Sequence, residues 1–368
     1  MSGSVSRRQV IRFLAQARFL LVLPVAQTLL SAIAPADAET STARPEGEEM
    51  NLDDDSPGSM DPYRLPRHII PHRYELRLEP DLDQATFAGR ETVVLTITQT
   101  TGSIVLNAVD LAISSAILEG SSSTRQSATI ELHDSTQRCQ LTFSQPILPG
   151  EWKLHLTFQG KLNDQLRGFY RSTYKDHVGV THTMAATQFE ATDARRAFPC
   201  WDEPDFKAVF ATTLVIAPRL TAVSNTAVAS ESIEAGKKVL RFADSIKMST
   251  YLVAFIVGKI EATQPIFVGK TPLRLWTVPG KQPLTSFGYE IAVASLKFFE
   301  DYYDIPYPGD KLDLLAIPDF ASGAMENLGA ITFRETALLV DRHSATHGEL
   351  ERVADVVAHE NAHMWFGD

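Results

Sequence analysis

Apolar and polar residues alternate along much of the chain up to about residue 263. Three runs show the pattern, with apolar positions at Tyr74, Leu76 and Leu78, at Val93, Leu95 and Ile97, and at Trp152, Leu154, Leu156 and Phe158. A period of two places successive side chains on opposite faces of a β-strand, so each run predicts a strand with one buried face. Turn-forming residues separate the runs at 81–83, 101–102 and 149–150. Residues 61–263 are therefore predicted to form an antiparallel β domain.

The period of the apolar positions changes after residue 263. Steps of three and four residues connect Phe287, Ile291, Ala294, Phe298 and Tyr302, and this pattern stops before Pro306. Such spacing predicts a helix, because residues three and four apart share one helical face. Buried strands are predicted over 312–317 and 330–333, so residues 264–368 are expected to form a second domain of mixed class. The fold class is predicted as α+β.

A last helix is predicted near the C-terminal end of the sequence. Residues 349–358 are good helix formers, and Thr346 and Glu349 have the spacing of a capping box. The pattern His359-Glu360-Asn361-Ala362-His363 follows. Two imidazoles four residues apart lie on one helical face and can bind one zinc ion, while Glu360 can act as the base toward a water molecule. The alternative is a pair of helical histidines on a polar surface.

The first 38 residues have the order of a secretory signal. Arg7 and Arg8 precede an apolar run over 19–34, and Ala36-Asp37-Ala38 offers a small-residue cleavage site. The paired arginines resemble a twin-arginine export signal. Residues 39–60 predict a flexible acidic leader, since they cannot bury enough apolar surface to offset the entropy of ordering. We expect a bacterial protein that is periplasmic or secreted and has no stable membrane anchor.

Composition and charge exclude some classes of function. The chain has 368 residues, of which 44% are hydrophobic, so it can build sizeable cores. Its formal net charge is -11, which argues against nucleic acid as a partner, because phosphate binding needs a basic face. Cys139 and Cys200 are too few for a disulfide scaffold or a cysteine-based metal site, and they favour two buried free thiols over one disulfide.

The segment 312–327 ends in Gly323-Ala324-Met325-Glu326-Asn327. With the paired histidines behind it, this segment resembles the zinc aminopeptidases of the aminopeptidase N type, whose exopeptidase signature is GAMEN and whose metal motif is HExxH. On its own, the segment would be interpreted as an ordinary turn after a buried strand. The resemblance runs from about residue 63 to 367. It implies a saddle-like N-terminal β domain followed by the first part of a thermolysin-like α/β catalytic domain.

The resemblance also implies the roles of individual residues. Gly323 and Ala324 would offer backbone hydrogen bonds to an extended peptide, and Glu326 would bind its free α-amino group. Met325 and Asn327 complete this expected substrate-binding segment. His359 and His363 would bind one zinc ion, with Glu360 as the catalytic base. The expected partner is thus a peptide with a free N-terminus.

A second block, residues 187–204, resembles the stretch that the same family places beside its substrate pocket. The resemblance makes Gln188 a pocket-lining residue and Glu190 a second carboxylate near the α-amino group. For the charged residues Arg195, Arg196, Asp202 and Glu203, the preferred interpretation is a solvated cluster of ion pairs around a proline turn.

Parts of the family's active site are absent from this sequence. A catalytic zinc ion normally has three protein ligands, and the third in this family is a glutamate on a later helix. The tyrosine that stabilises the oxyanion in the family is absent as well. Asn361 stands where the family usually has an apolar residue, and an unpaired amide in a core would cost about 1–3 kcal/mol. Asp368 replaces the family's usual asparagine.

The sequence therefore predicts the N-terminal part of a zinc aminopeptidase, truncated just after the HExxH motif. It allows for a separately encoded C-terminal part that would complete the enzyme. Two alternatives stay open. One is an inactive truncated homologue with weak peptide binding at most, and the other is an epoxide hydrolase with the same zinc site.

Overall fold

Residues 64–120 and 124–367 are described by the computed structural model. The predicted signal segment (1–38) and acidic leader (39–60) lie outside these residues. The domain boundary predicted between residues 263 and 264 stays a prediction.

The alternating runs form central strands of a sheet that has ten strands within the described residues. In spatial order the strands are β12 (Val228–Glu234), β13 (Lys237–Phe242), β10 (Val209–Ile216), β1 (Ile69–Asp81), β2 (Thr86–Ile97), β7 (Gly150–Lys161), β4 (Leu111–Gly120), β5 (Arg125–His133), β6 (Arg138–Ile147) and β3 (Thr101–Asn107). Tyr74, Leu76 and Leu78 are buried, as the alternation predicts.

Two details of this sheet differ from the sequence prediction. Strand β1 pairs with β10 in parallel, so the sheet is not purely antiparallel. Thr101 and Gly102 are not a turn but the first residues of β3, because Thr101 pairs with Ile147 of β6. Period-two patterning identifies strands and their buried faces, but it carries no information about the direction of a partner strand.

A second sheet and an aromatic cluster pack against the first. The sheet contains, in order, β11 (Thr221–Ser224), β14 (Phe255–Gly258), β9 (Thr181–Gln188) and β8 (Gly168–Lys175). Phe255 of this sheet lies 6.3 Å from the ring of Phe198, which contacts Phe210 of β10 edge-on at 6.4 Å. Phe210 in turn stacks on Tyr74 of β1 at 4.9 Å. Aromatic packing thus joins the two sheets and adds to the stability gained from their buried area.

The third sheet carries the segments expected in the catalytic part. Its strands are, in order, β15 (Glu261–Ala262), β17 (Thr271–Thr277), β18 (Leu312–Ile317), β20 (Ala330–Arg334) and β19 (Ala324–Met325), and β16 (Ile266–Val268) also pairs with β17. Strands β17, β18 and β20 are parallel. All residues of β18 are buried, which explains its nearly continuous apolar sequence.

Three α-helices accompany this sheet in the described part of the chain. They are α1 (Ser286–Tyr303), α2 (Glu335–Leu338) and α3 (His347–His363), and single 3-10 turns lie at Ala194–Arg196, Thr250–Leu252 and Gln282–Leu284. Both predicted helices are therefore confirmed, and α1 ends before Pro306 as expected. A β-rich part followed by mixed strands and helices confirms the α+β class. None of the helices in the described residues has both the length and the apolar character needed to cross a bilayer.

Candidate active site

Helix α3 begins where the sequence pattern places its cap. The backbone N–H of Glu349 donates to Thr346 Oγ1 at 3.3 Å, and the N–H of Thr346 donates to Glu349 Oε2 at 2.8 Å. This reciprocal pair satisfies two backbone groups that the first helical turn leaves free. The helix continues to His363, so His359 and His363 lie one turn apart on one face.

The two imidazoles face each other. His359 Nε2 and His363 Nε2 are 3.0 Å apart. His363 Nδ1 lies 3.0 Å from the carbonyl oxygen of Phe366, and because a carbonyl only accepts, Nδ1 must carry the proton. With the proton on Nδ1, the Nε2 atom of His363 is the ring nitrogen that faces His359. The pKa of His359 is lowered, first by partial burial and then by His363, which also favours a neutral ring.

Gly367 makes room for this arrangement. Its φ is +138°, and a Cβ at this position would lie 2.7 Å from His363 Nδ1. Any side chain here would press on the imidazole that is held by Phe366. The glycine at this position therefore leaves space for the ring orientation of His363 that Phe366 holds.

Glu360 projects into a site with an excess of negative charge. It is buried, and its Oε2 has no hydrogen-bond partner among the described residues. Burial, followed by the nearby carboxylates of Glu326 and Glu190, raises the pKa of Glu360 to about 8. Without a cation nearby, this side chain is mostly protonated at neutral pH, and a cation would return it to the basic form.

The GAMEN segment forms the edge of the third sheet. Ala324 and Met325 make up β19 and pair with Phe333 and Thr332 of β20, and Gly323 accepts a hydrogen bond from the N–H of Arg334 at 2.9 Å. Strand β19 has one neighbour within the described residues, so its other side is an open sheet edge. An open edge is the structure needed to add an extended peptide as a further strand.

The residues of the GAMEN segment differ in burial and in the contacts that they make. Glu326 is buried and joins the cluster around Glu360. Met325 is fully buried, and the Asn327 amide donates to Thr332 Oγ1 at 3.0 Å. The geometry thus gives Met325 and Asn327 supporting positions within the fold, whereas Gly323 and Ala324 are partly exposed at the sheet edge.

Gln188 and Glu190 lie at the C-terminal end of β9. Gln188 is buried, and its Oε1 has no hydrogen-bond partner within the described chain. Glu190 is exposed, and its pKa is raised by partial burial and by Glu326, against the opposite effect of His363. The 187–204 block and the GAMEN segment therefore lie close enough for Glu190 to interact with Glu326 and His363.

The residues present fit a divalent cation. Ligand atoms of Glu326, Glu360 and His363 lie within 4.8 Å of one another. Two nitrogens bound to one zinc ion at about 2.0–2.1 Å in tetrahedral geometry are separated by about 3.3 Å, close to the 3.0 Å between the rings of His359 and His363. Such an ion would give a positively charged neighbour to the Glu360 oxygen that has no hydrogen-bond partner among the described residues.

Two residues that position this site were not identified from the sequence. The Asn225 amide donates to the carbonyls of Leu328 at 2.9 Å and Leu252 at 2.8 Å, and so holds the turn after GAMEN. Asp319 accepts from the N–H of Thr173 at 2.8 Å, and its own N–H donates to Ser172 Oγ at 3.0 Å. These partners are 27 to 147 residues apart in the sequence, so no local pattern indicates them.

The expectation of a solvated ion-pair cluster was wrong for Arg195 and Asp202. Arg195 Nε donates to Asp202 Oδ2 at 2.9 Å, and their side chains are only 11% and 1% exposed. Arg196 is partly buried and pairs with Asp193 at 2.6 Å. Glu203 instead pairs with Arg67 at 2.7 Å. The buried position follows from the pairing of Asn107 with Cys200, which brings this turn against the main sheet.

The predicted state of the cysteines is confirmed. Cys139 and Cys200 are both buried and free. Burial raises the pKa of the Cys139 thiol to about 12, so it stays neutral at physiological pH.

Comparison with known proteins agrees with the geometry. The family model for the peptidase M1 N-terminal domain matches residues 70–252, and the model for the peptidase family M1 domain matches residues 287–368. The relatives include Aminopeptidase M1-C of Oryza sativa subsp. japonica, 46% identical over 317 residues, which are 84% of this chain and 36% of that protein. Aminopeptidase M1 of Arabidopsis thaliana is 42% identical over 309 residues, 83% of this chain and 35% of the relative.

The Puromycin-sensitive aminopeptidase of Caenorhabditis elegans is 43% identical over 312 residues, 83% of this chain and 32% of that protein. The chain thus spans about a third of the length of the curated relatives it matches. The two family matches follow one another along the chain. The N-terminal domain model covers strands of the first two sheets, and the M1 domain model covers α1 and the elements after it. The chain therefore belongs to the peptidase M1 family of zinc aminopeptidases, and it contains the N-terminal domain and a part of the catalytic domain.

Proposed function

We propose that this chain supplies the metal-binding and amine-recognising part of a zinc aminopeptidase that removes N-terminal residues from peptides. The observation that carries the proposal is the convergence of Glu326 and Glu360 on His363, whose ring nitrogen lies 3.0 Å from that of His359. The names of the relatives support the reaction class. The export signal predicted over residues 1–38 makes a periplasmic or secreted location part of the proposal.

His359 and His363 would hold the zinc ion, which when bound supplies Lewis acidity toward a peptide carbonyl and its attacking water. Glu360 accepts the proton of that water and later donates it to the leaving amine. Burial and the carboxylates of Glu326 and Glu190 raise its pKa to about 8, and a bound cation opposes this shift, so Glu360 can both accept and release a proton. The third ligand and the oxyanion donor of the family would come from a further segment of polypeptide.

Glu326 and Glu190 recognise the free α-ammonium group of the peptide. Two carboxylates at one end of a cleft favour a cation there, and each desolvated charge pair adds specificity for the free amine. Gln188 offers an unpartnered carbonyl oxygen that can accept a further hydrogen bond from the ammonium group. The backbone of Gly323 and Ala324 aligns the peptide along the sheet edge.

Two measurements test this proposal, peptide binding by the zinc-loaded chain and turnover by the complete enzyme. A short peptide with a free N-terminus should bind, and its N-acetylated twin should bind at least tenfold more weakly, with Glu326→Gln removing the difference. Equal binding of the two peptides would contradict amine recognition. When the chain is combined with the segment that supplies the third ligand, turnover of amino-acid arylamides should be lost in Glu360→Gln and kept in Glu351→Gln, an exposed residue of the same helix. Turnover that survives Glu360→Gln would refute the assigned base.

A further inference from the structure

Arginines from three strands form one row across the main sheet. Arg77 of β1 lies directly opposite Arg90 of β2, and on its other side Arg77 faces Thr213 of β10, which faces Arg241 of β13. The neighbours of Arg77 in the strand, Leu76 and Leu78, are buried. The alternation of strand side chains therefore places the arginine row on the face opposite the hydrophobic core.

This face contains a cavity of about 710 Å³, here called the arginine groove. Its walls and floor include Arg73, Arg77, Arg90, Arg241, Thr157 and Thr213. The volume lies within the range of sites for small molecules. None of the residues predicted for the peptidase site lines this groove.

Carboxylates neutralise only part of the groove. Arg77 pairs with Glu234 at 2.8 Å, and Arg73 pairs with Asp244 and with Glu75. These three carboxylates are therefore engaged by Arg73 and Arg77.

Among the described residues, no hydrogen bond or ion pair involves the guanidinium groups of Arg90 or Arg241. Arg77 and Arg90 are like charges directly opposite each other in the sheet, which is a destabilising arrangement. The chain as a whole is acidic, with a net charge of -11, so a local excess of arginine requires its own explanation.

We propose that the arginine groove binds a small extended anion with at least two phosphate groups. Guanidinium groups bind phosphate through paired, charge-assisted hydrogen bonds, and the Thr157 and Thr213 hydroxyls can add donors. The backbones of Arg241 and Arg90 are three strand spacings apart, about 14 Å. Both side chains line the groove, with Arg77 between them in the row, so an anion with two charged ends can contact Arg90 and Arg241 at once.

Titration calorimetry of the metal-free chain with inorganic pyrophosphate tests the proposal, at an ionic strength held constant with sodium chloride. We expect saturable binding of one equivalent, at least tenfold tighter than binding of inorganic phosphate. Arg90→Gln and Arg241→Gln should each weaken binding at least tenfold. The matched control is Arg219→Gln, an exposed arginine outside the groove, which should change the affinity less than twofold.

The free Arg90→Gln variant should melt at the same temperature as the parent or higher, because a repulsion is removed. Loss of binding together with such a melting temperature identifies the side chain as a ligand and excludes misfolding as the cause. The proposal would be overturned by any of three results. These are binding that does not saturate, equal affinity for phosphate and pyrophosphate, or an equal loss of affinity in Arg219→Gln. None of these outcomes depends on peptidase activity, so failure here is distinct from failure of the proposed function.

Discussion

The Asn361 amide donates to Ser295 Oγ at 2.7 Å and so joins α3 to α1 in the core. Its Nδ2 also donates to the carbonyl of Ala292 at 3.1 Å, while its Oδ1 has no hydrogen-bond partner in the described chain. An asparagine that faces the core has an amide to satisfy, and here the side chain is buried with only its Nδ2 group paired among the described residues. Ser295 on helix α1 accepts a hydrogen bond that offsets part of the cost of burying the Asn361 amide.

Removal of this hydrogen bond should lower the free energy of unfolding. We expect Ser295→Ala to cost about 1 kcal/mol and Asn361→Ala about 1–3 kcal/mol, since each leaves a buried polar group with fewer partners. The double variant should cost about 1 kcal/mol less than the sum of the two, because both single changes remove the same bond. Urea unfolding measures all three values, and strict additivity would show that the pair is not coupled.

Gly329 should be irreplaceable because of its surroundings and not only because of its φ of +73°. A Cβ at this position would lie 2.1 Å from the carbonyl oxygen of Asn225, the residue that holds the turn after GAMEN. Gly236 has a similar φ of +77° and no atom within 4 Å of a Cβ. We expect Gly236→Ala to cost about 1 kcal/mol and Gly329→Ala several times more. Similar losses in thermal unfolding would contradict the steric explanation.

The buried pair of Arg195 and Asp202 should be costly to break. Burial raises the pKa of Asp202 even though Arg195 acts in the opposite direction, so the ionised carboxylate depends on this partner. Arg195→Met should lower the free energy of unfolding by about 3–5 kcal/mol at neutral pH. The exposed pair of Arg219 and Asp83 is the control, and Arg219→Met should cost at most about 0.5 kcal/mol.

Glu91 should make the fold less stable as the pH rises. Its side chain is buried, both carboxylate oxygens lack a hydrogen-bond partner in the described residues, and burial raises its pKa well above the ordinary value. An unfolded glutamate titrates near pH 4.3, at about its model-peptide pKa. Above that pH the folded state retains a proton that the unfolded chain has lost, so the free energy of unfolding falls until the folded-state pKa is reached.

Comparison with Glu91→Gln isolates this effect. Relative to that variant, the parent chain should lose stability as the pH rises above about 4.3, because the folded-state pKa of Glu91 lies above that of the unfolded chain. Glu131→Gln, a change at an exposed position of β5, serves as the control and should show no such trend. A stability difference that is constant with pH would show that Glu91 is not neutral in the fold.

Zinc should stabilise the chain through the histidine pair. Added zinc should raise the melting temperature with saturation, because an ion that binds the folded state alone shifts the equilibrium toward it. His359→Gln and His363→Gln should each abolish the shift, and a chelator should reverse it. His343→Gln changes an exposed histidine outside the site and should retain the full shift. A shift that persists in both site variants would exclude this metal position.

The sequence by itself determined the elements and the chemistry that they carry. Period-two runs gave the strands, the 3.6-residue period gave α1, and the capping box fixed the start of α3, because these signals depend on residues that are close in the chain. The same locality put His359 and His363 on one helical face.

Only the tertiary structure decided which elements meet. The parallel pairing of β1 with β10, the burial of Arg195 and Asp202, and the inward positions of Met325 and Asn327 depend on contacts between distant segments. Contacts between distant segments also raise the pKa of Glu360, because desolvation and neighbouring carboxylates act through space and not along the chain. Local patterns therefore specify which residues can do the chemistry, and long-range packing sets their charge and geometry.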